Sequence, residues 1–388
     1  MTTPETNDET VLATWRTPER IRESLQHIAD FLPTALIRRG DRSVAELPLA
    51  PTPLRDLVVS ADYGTITDAH ARTETDAWLV LHGGRIVEEQ YFTPMTADTR
   101  HLLMSVSKSM TSIIVGALVD QGALATSEQV TTYLPELADS GYAGATLRDV
   151  LDMRTGVRYS EDYFDPDSDD ALHNEAIGWA PHHHGGPLGQ RQLLRGLTAD
   201  RPHGGYFEYR SCETAVLGWV CEAVTGKPFA DLTAELLWSR LGAEADASFC
   251  VDPGGSAMPD RGIVATARDV ARFGMTVLNG GITPAGERVV SRAWIDDLFA
   301  PSDELTAAFA SGPDADYLPG GRYRSQFWVP ADGETASCVG IHGQFIYIDR
   351  TADMVGVKLS SWPVPLDPER IMITRLMFAT VADHLRSR

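Results

Sequence analysis

At 388 residues the chain is longer than one ordinary domain, and an apolar fraction of 43% is that of a folded globular protein. Lys and Arg total 33 against 54 Asp and Glu, a formal charge of -21. That charge repels phosphate backbones and anionic bilayers, and so argues against nucleic-acid and membrane partners.

The start, MTTPETNDET, has neither a basic segment nor an apolar core, so no signal peptide is expected. The four cysteines, Cys212, Cys221, Cys250 and Cys338, form no CxxC pair and read as reduced thiols of a cytoplasmic protein. Thr17-Pro18 opens a helix with Ile21, Leu25, Ile28 and Leu32 on one face. A proline-rich connector, ELPLAPTPLRDL, follows. Residues 77–92 read as two strands around Gly83-Gly84. Helices and long loops dominate 101–245, among them the amphipathic stretch 213–226, which stops at Gly226. Near the end, ASCVGIHGQFIYID and DMVGVKLSSW read as a second hairpin, and a helix begins near Pro368. The expected fold is α/β of the α+β type. Residues 1–100 and 246–388 would build an antiparallel sheet covered by the terminal helices, residues 101–245 a mainly helical second lobe, with a site in the cleft between them.

The stretch HLLMSVSKSMTSIIVGALVD carries one of only three lysines in the chain. Met110, Ile113, Ile114, Ala117 and Leu118 repeat as one buried helical face. Ser105 and Lys108 lie three apart, one above the other if the helix starts near Ser105. A serine at a helix start meets free backbone N–H groups, and a lysine one turn on can take its proton or hold a nearby base. Ser107 is a rival by position but has no lysine three residues later. The adjacent histidines of PHHHGGP (181–187) are poorly placed to converge on one ion, so no metal and no cofactor is expected. The G-x-S-x-G elbow of α/β-hydrolases is absent.

Three further pieces join S-x-x-K. ATLRDVLDMRTGVRY (145–159), YFEYRSCETAVLGWV and GIHGQFIYID resemble the segments of the penicillin-recognising serine hydrolases that carry their Ser-Gly, Y-x-N and K-T-G elements. Their order and spacing fit the class C β-lactamase and esterase branch. HLLMSVSKS, GIHGQ and VKLSSWP narrow the resemblance to the nylon-oligomer (6-aminohexanoate-dimer) hydrolases, over nearly the whole chain beyond the first 50 residues. That resemblance implies a β-lactamase/DD-peptidase-like fold, hydrolysis of 6-aminohexanoate amides and of short esters, and no metal or cofactor. It implies Ser105 as nucleophile, Lys108 and Tyr209 as the proton-transfer pair, and the backbone N–H groups of Ser105 and Ile341 as the oxyanion hole. It also implies Tyr163 near the leaving group, and Trp179, Trp328, His342 and Gly343 beside the substrate. Of the pair, Tyr209 is expected as the direct base, because a cationic lysine lowers a tyrosine's pKa.

Two departures matter. Tyr209 is followed by Arg210 and Ser211, so the Y-x-N amide is missing, and His342 replaces the lysine of the third box, which argues against a β-lactamase or cell-wall peptidase. Asn174 stands where the efficient dimer hydrolases carry an aspartate for the substrate's ammonium, so esterase activity is expected ahead of amidase activity. The remaining readings are a D-amino-acid amidase or peptidase-like relative, and a non-catalytic relative that binds ligands through the same fold. A small-molecule ester or amide is the expected partner, and a homodimer is compatible with the reading.

Overall fold

The computed structural model describes residues 9–186 and 188–387. Residues 1–8 of the stretch read for an export signal, and Pro187 of the histidine loop, lie outside them. Among the described residues no helix is long and apolar enough to cross a membrane.

A seven-stranded sheet takes strands from both ends of the chain. Its spatial order is Arg85–Tyr91, Thr75–His82, Met354–Ser360, Gln344–Asp349, Thr335–Gly340, Phe327–Val329, Arg322–Arg324, and every neighbouring pair is antiparallel. The first hairpin turns at Gly83-Gly84, both with positive φ, as a two-residue turn between right-twisted strands demands. The stretch read as one strand, ASCVGIHGQFIYID, is two: Thr335–Gly340 and Gln344–Asp349 are joined by the turn Ile341–Gly343. His342 and Gly343 both have positive φ there, and that puts a tight turn inside an apolar run which reads as continuous.

Strand alternation sorts the core onto two faces. Trp78 and Val80 face the C-terminal helix Pro368–Arg386, in one cluster with Ile371, Met377, Phe378 and Val381. Ala77, Leu79 and Leu81 face the other way, against Val270, Ala271, Phe273 and Val277 of the helix Ala267–Leu278. Both terminal helices were expected to cover this sheet. The N-terminal one, Ile21–Gln26, instead buries Ile21 and Leu25 with Ile28 and Leu32 against Leu102, Cys250 and Val264. These belong to a second, four-stranded sheet, ordered Thr34–Ile37, Ala247–Cys250, Ile263–Ala265, His101–Leu102.

The helix Val106–Asp120 lies at the centre. It was expected to bury one face, but every residue from Val106 to Leu118 is buried. The sheet lies on one side and Ser211–Thr225 packs on another, so its small polar residues need partners inside the protein. Ser107 illustrates this: fully buried, its hydroxyl accepts the Ile263 N–H at 3.1 Å, and it lines neither recess beside Ser105.

Candidate active site

Ser105 is the N-cap of Val106–Asp120. Met104 before it is held at φ +48°, a left-handed backbone that a non-glycine adopts at a cost and that turns the chain sharply into the helix. The strand ending at Gly340 passes close by. A Cβ on Gly340 would stand 2.7 Å from the Leu103 carbonyl oxygen and 3.0 Å from the Ser105 nitrogen, so only glycine allows this approach. It brings Ile341 beside Ser105 on the same cleft wall. The Ser105 N–H has no hydrogen-bond acceptor among the described residues.

Lys108 is 1% exposed, one turn into the helix. Its Nζ donates to Ser105 Oγ at 2.8 Å, to Ser211 Oγ at 2.9 Å and to the Asp260 carbonyl at 3.0 Å. Ser211, which stands at the third position of the Y-x-N segment, is thus one of the three acceptors of Lys108. Burial pushes the Lys108 pKa down to about 8, against the pull of Asp260 and Glu161. Tyr209 precedes the helix Ser211–Thr225 and is fixed from behind. Arg210 donates to the Thr155 carbonyl at 2.7 Å and pairs with Glu213 at 3.4 Å, while Thr155 donates to Glu213.

Tyr209 lines the same recess as Ser105, and its pKa is driven well above the ordinary tyrosine value, first by burial and then by Glu161. Lys108 does not reverse this, because its Nζ lies over the Tyr209 ring, 5.0 Å from the centroid, and its hydrogen bonds go elsewhere. The expected order is thereby reversed: the resting tyrosine is neutral, and the lysine is the group that gives up a proton near neutrality.

Two recesses share Ser105, Glu161, Tyr163 and Ile341. The larger, about 140 Å³, adds Tyr209, Trp328, Tyr317 and Asp314. Trp328 stacks on Tyr209 with centroids 5.4 Å apart. The smaller, about 10 Å³, adds Arg16, Asn174, Trp179, Ser211 and Arg261. Of the residues named from sequence, Ser105, Lys108, Tyr209, Tyr163, Trp179, Trp328, Asn174 and Ile341 thus converge. His342 and Gly343 do not. The His342 side chain turns away to the Trp362 carbonyl at 2.8 Å, burial lowers its pKa to about 4, and a Cβ on Gly343 would strike the Trp362 ring.

Asn174 lines the smaller recess but its amide is occupied. Nδ2 donates to the Asp170 carbonyl oxygen at 2.8 Å and carboxylate at 2.9 Å, and Oδ1 accepts from Arg261 at 3.0 Å. Arg261 also pairs with Asp170 at 2.9 Å and with Asp260. Arg261, Asp170 and Asp260 were not singled out from sequence, nor was Glu161. Glu161 accepts from Tyr163 at 2.8 Å and from the Ser211 N–H at 2.7 Å and hydroxyl, and burial raises its pKa. Its signal was present two residues before Tyr163, in a loop so acidic that no one carboxylate stood out. In the histidine loop, His184 pairs with Glu175 at 2.7 Å. Among the described residues no group of three or more His, Cys, Asp or Glu is disposed to hold a metal ion.

Residues 64–380 match the family model described as beta-lactamase. The chain belongs to the β-lactamase family. Within it, the chain is a homologue of 6-aminohexanoate-dimer hydrolase: it is 37% identical over 361 residues to the enzyme of that name from Paenarthrobacter ureafaciens, covering 92% of this chain and 89% of the relative. A solved structure of a Bacillus anthracis protein assigned as a 6-aminohexanoate-dimer hydrolase superposes with a TM-score of 0.89 at 26% identity, over 100% of this chain and 99% of that one. A family VIII carboxylesterase shares the fold, with a TM-score of 0.60 at 16% identity over 83% of this chain and 98% of its own. This β-lactamase-family chain is a serine hydrolase with the mixed fold of that family, an antiparallel sheet beside a helical lobe.

Proposed function

We propose that the protein hydrolyses carboxylic esters and linear amides, of which the 6-aminohexanoate dimer is the model, through an acyl-enzyme on Ser105. The carrying observation is the 2.8 Å contact between Lys108 Nζ and Ser105 Oγ at the floor of the cleft. With its pKa lowered to about 8, Lys108 is neutral in a useful fraction of molecules near neutral pH and takes the Ser105 proton during attack. Ser105 Oγ bonds to the acyl carbon. The oxyanion is met by the N–H groups of Ser105 and Ile341, a pair in which each donor contributes ~3 kcal/mol.

Tyr209, neutral and beside Ser105 in the larger recess, passes its proton to the departing nitrogen or oxygen and is recharged from Lys108. Water then repeats the attack in reverse roles and frees the acid. Tyr163, oriented by Glu161, borders the leaving group. The amidase part of the activity is the weaker one, since the neutral Asn174 gives an ammonium nothing to bind. The same proposal places the protein in the cytoplasm, a reading supported by four buried, unbridged cysteines.

Ser105→Ala should lower p-nitrophenyl ester turnover by about 10⁴-fold or more while the melting temperature holds. Mass spectrometry of the parent protein with a slow ester should find the acyl mass on the peptide holding Ser105. Turnover surviving in the variant would move the nucleophile elsewhere.

A further inference from the structure

We infer that the smaller recess receives a carboxylate at the far end of the substrate's acyl chain, held by Arg16 and the Trp179 indole N–H. This rests on the acyl-enzyme reading above. The group that protonates the leaving atom must lie on the leaving-group side of the nucleophile. Tyr209 lines only the larger recess. The leaving amine or alcohol therefore sits among Tyr209, Trp328 and Tyr317, and the acyl chain runs from Ser105 toward Arg16, Asn174, Trp179 and Arg261.

The hydrogen-bonding capacity on that side is one-sided. Every acceptor named there is engaged: Asn174 Oδ1 by Arg261, the Asp170 carboxylate by Arg261 and Asn174, and Glu161 by Tyr163 and Ser211. Donors are left over. The Trp179 indole N–H is buried without an acceptor, although the ring is wedged edge-on against Trp15 and its carbonyl is used by the Trp15 N–H at 2.9 Å. The Arg16 guanidinium has no carboxylate within ion-pair distance among the described residues, and its lowered pKa reflects burial that the Asp170 charge does not offset. Arg261, in contrast, is balanced by Asp170 and Asp260. The unmet demand is for an anion with lone pairs to give. An ammonium there would face the Arg16 and Arg261 cations, and the lining carboxylate, Glu161, already accepts from Tyr163 and Ser211.

The recess holds about 10 Å³, the space of one water, so a chain tip enters only by widening it, with the partly exposed Arg16 shifting toward the mouth while its guanidinium stays within reach of the tip. A carboxylate tip would be held by a charge-assisted fork from Arg16 together with the indole donor. The reaction is otherwise unchanged. Ser105 Oγ bonds to the proximal acyl carbon, the C–O or C–N bond breaks, the leaving atom takes a proton, and water releases a free dicarboxylate.

Three p-nitrophenyl esters with one leaving group and matched chain length test this: a neutral hexanoyl ester, the adipic-acid monoester ending in carboxylate, and the 6-aminohexanoyl ester ending in ammonium. The carboxylate-tailed ester should have the highest kcat/KM and the ammonium-tailed one the lowest, with about tenfold between the carboxylate and neutral tails. Arg16→Gln and Trp179→Phe should each shrink that ratio, and Arg16→Glu should invert the order of the two charged tails. An ammonium tail matching or exceeding the carboxylate tail, or a ratio unmoved by Arg16→Gln, would overturn the proposal while turnover of the neutral ester keeps the hydrolase reading intact. Calorimetry with Ser105→Ala and the amides of the same three acids reads the subsite without turnover. Tighter binding of adipic-acid monoamide that is lost on adding Arg16→Gln supports the subsite even if every ester proves inert, and equal binding of all three amides rejects it.

Discussion

Lys108 and Lys358 are the two buried lysines of a chain that has three. Both have pKa values lowered mainly by burial, to about 8 and about 7. Both touch a serine hydroxyl, Ser105 at 2.8 Å and Ser360 at 2.5 Å, and both lie over an aromatic ring, Tyr209 at 5.0 Å and Trp362 at 5.6 Å. Only the first has the features of a reacting centre. Ser105 opens onto two recesses at the start of a helix with an unused backbone N–H, and Tyr209 lines the larger of them beside it. Around Lys358 the polar groups close on each other: Nζ donates to the Thr73 carbonyl, which also takes the Trp362 indole N–H at 2.8 Å. A depressed lysine pKa therefore marks burial, and access makes the difference between a base and a structural ammonium.

The largest effect should separate the two lysines. Lys108→Met should lower kcat about 10³-fold with little change in KM, since the proton transfer is lost and the binding surface is kept. In the parent protein kcat/KM should climb as pH rises through about 8, where Lys108 loses its proton, and level off above. An activity flat across that range would remove Lys108 as the base. Tyr209→Phe comes next, and its effect should depend on the leaving group. An amide nitrogen must be protonated to depart, so the amide should lose about 10²-fold or more; p-nitrophenolate leaves as an anion, so its ester should lose much less. Equal losses on both would mean that Tyr209 positions Ser105 instead of protonating the leaving atom.

Lys358→Met should do the opposite of Lys108→Met, leaving kcat/KM within about twofold and changing stability. The folded pKa of Lys358 lies below its unfolded value of 10.5. Between about 7 and 10.5 the unfolded chain holds a proton the folded protein has released, so the parent's stability rises with pH across that window. The buried charge costs most below about 7. Melting temperatures should thus favour the methionine variant in that acid range, with the advantage fading toward 10.5. A variant losing stability equally at all pH values would show that the contacts to Thr73 and Ser360 outweigh the charge.

Local patterns in the sequence carried much of this. The Ser105–Lys108 spacing, the Gly83-Gly84 turn, the helix stop at Gly226 (φ +68°) and the start at Asp367-Pro368 are written in adjacent residues, and each is where it was read. The four-stranded sheet left no such trace, because its pairing of Thr34–Ile37 with Ala247–Cys250 joins four-residue segments some 200 positions apart. Arg261 and Asp170 meet across 91 residues and are unremarkable alone. The proton order of Lys108 and Tyr209 is hard to read from sequence for a related reason. Residue types give the sign of their attraction, but the depth of burial and the ring-face placement of Lys108 decide the balance.

The smallest effect tests how far the electrostatics around Lys108 extend. From sequence, Asn174→Asp should restore a contact to the substrate's ammonium and speed hydrolysis of the 6-aminohexanoate dimer. The structure predicts otherwise. The amide nitrogen to be replaced by oxygen lies 2.9 Å from an Asp170 carboxylate oxygen, so two carboxylates would face each other with only Arg261 between their charges. One of the pair should keep a proton at pH values where an ordinary aspartate has lost it. A carboxyl whose folded pKa is raised destabilises above its unfolded pKa, so the variant should melt a few degrees lower near neutrality and recover as pH falls. Asp170 already contributes to holding the proton on Lys108, and a second negative charge beside it should move the rise of kcat/KM to higher pH for charged and neutral substrates alike. A selective gain for the dimer at unchanged melting temperature would show the new carboxylate facing the cleft, and would return this side of Ser105 to an ammonium site.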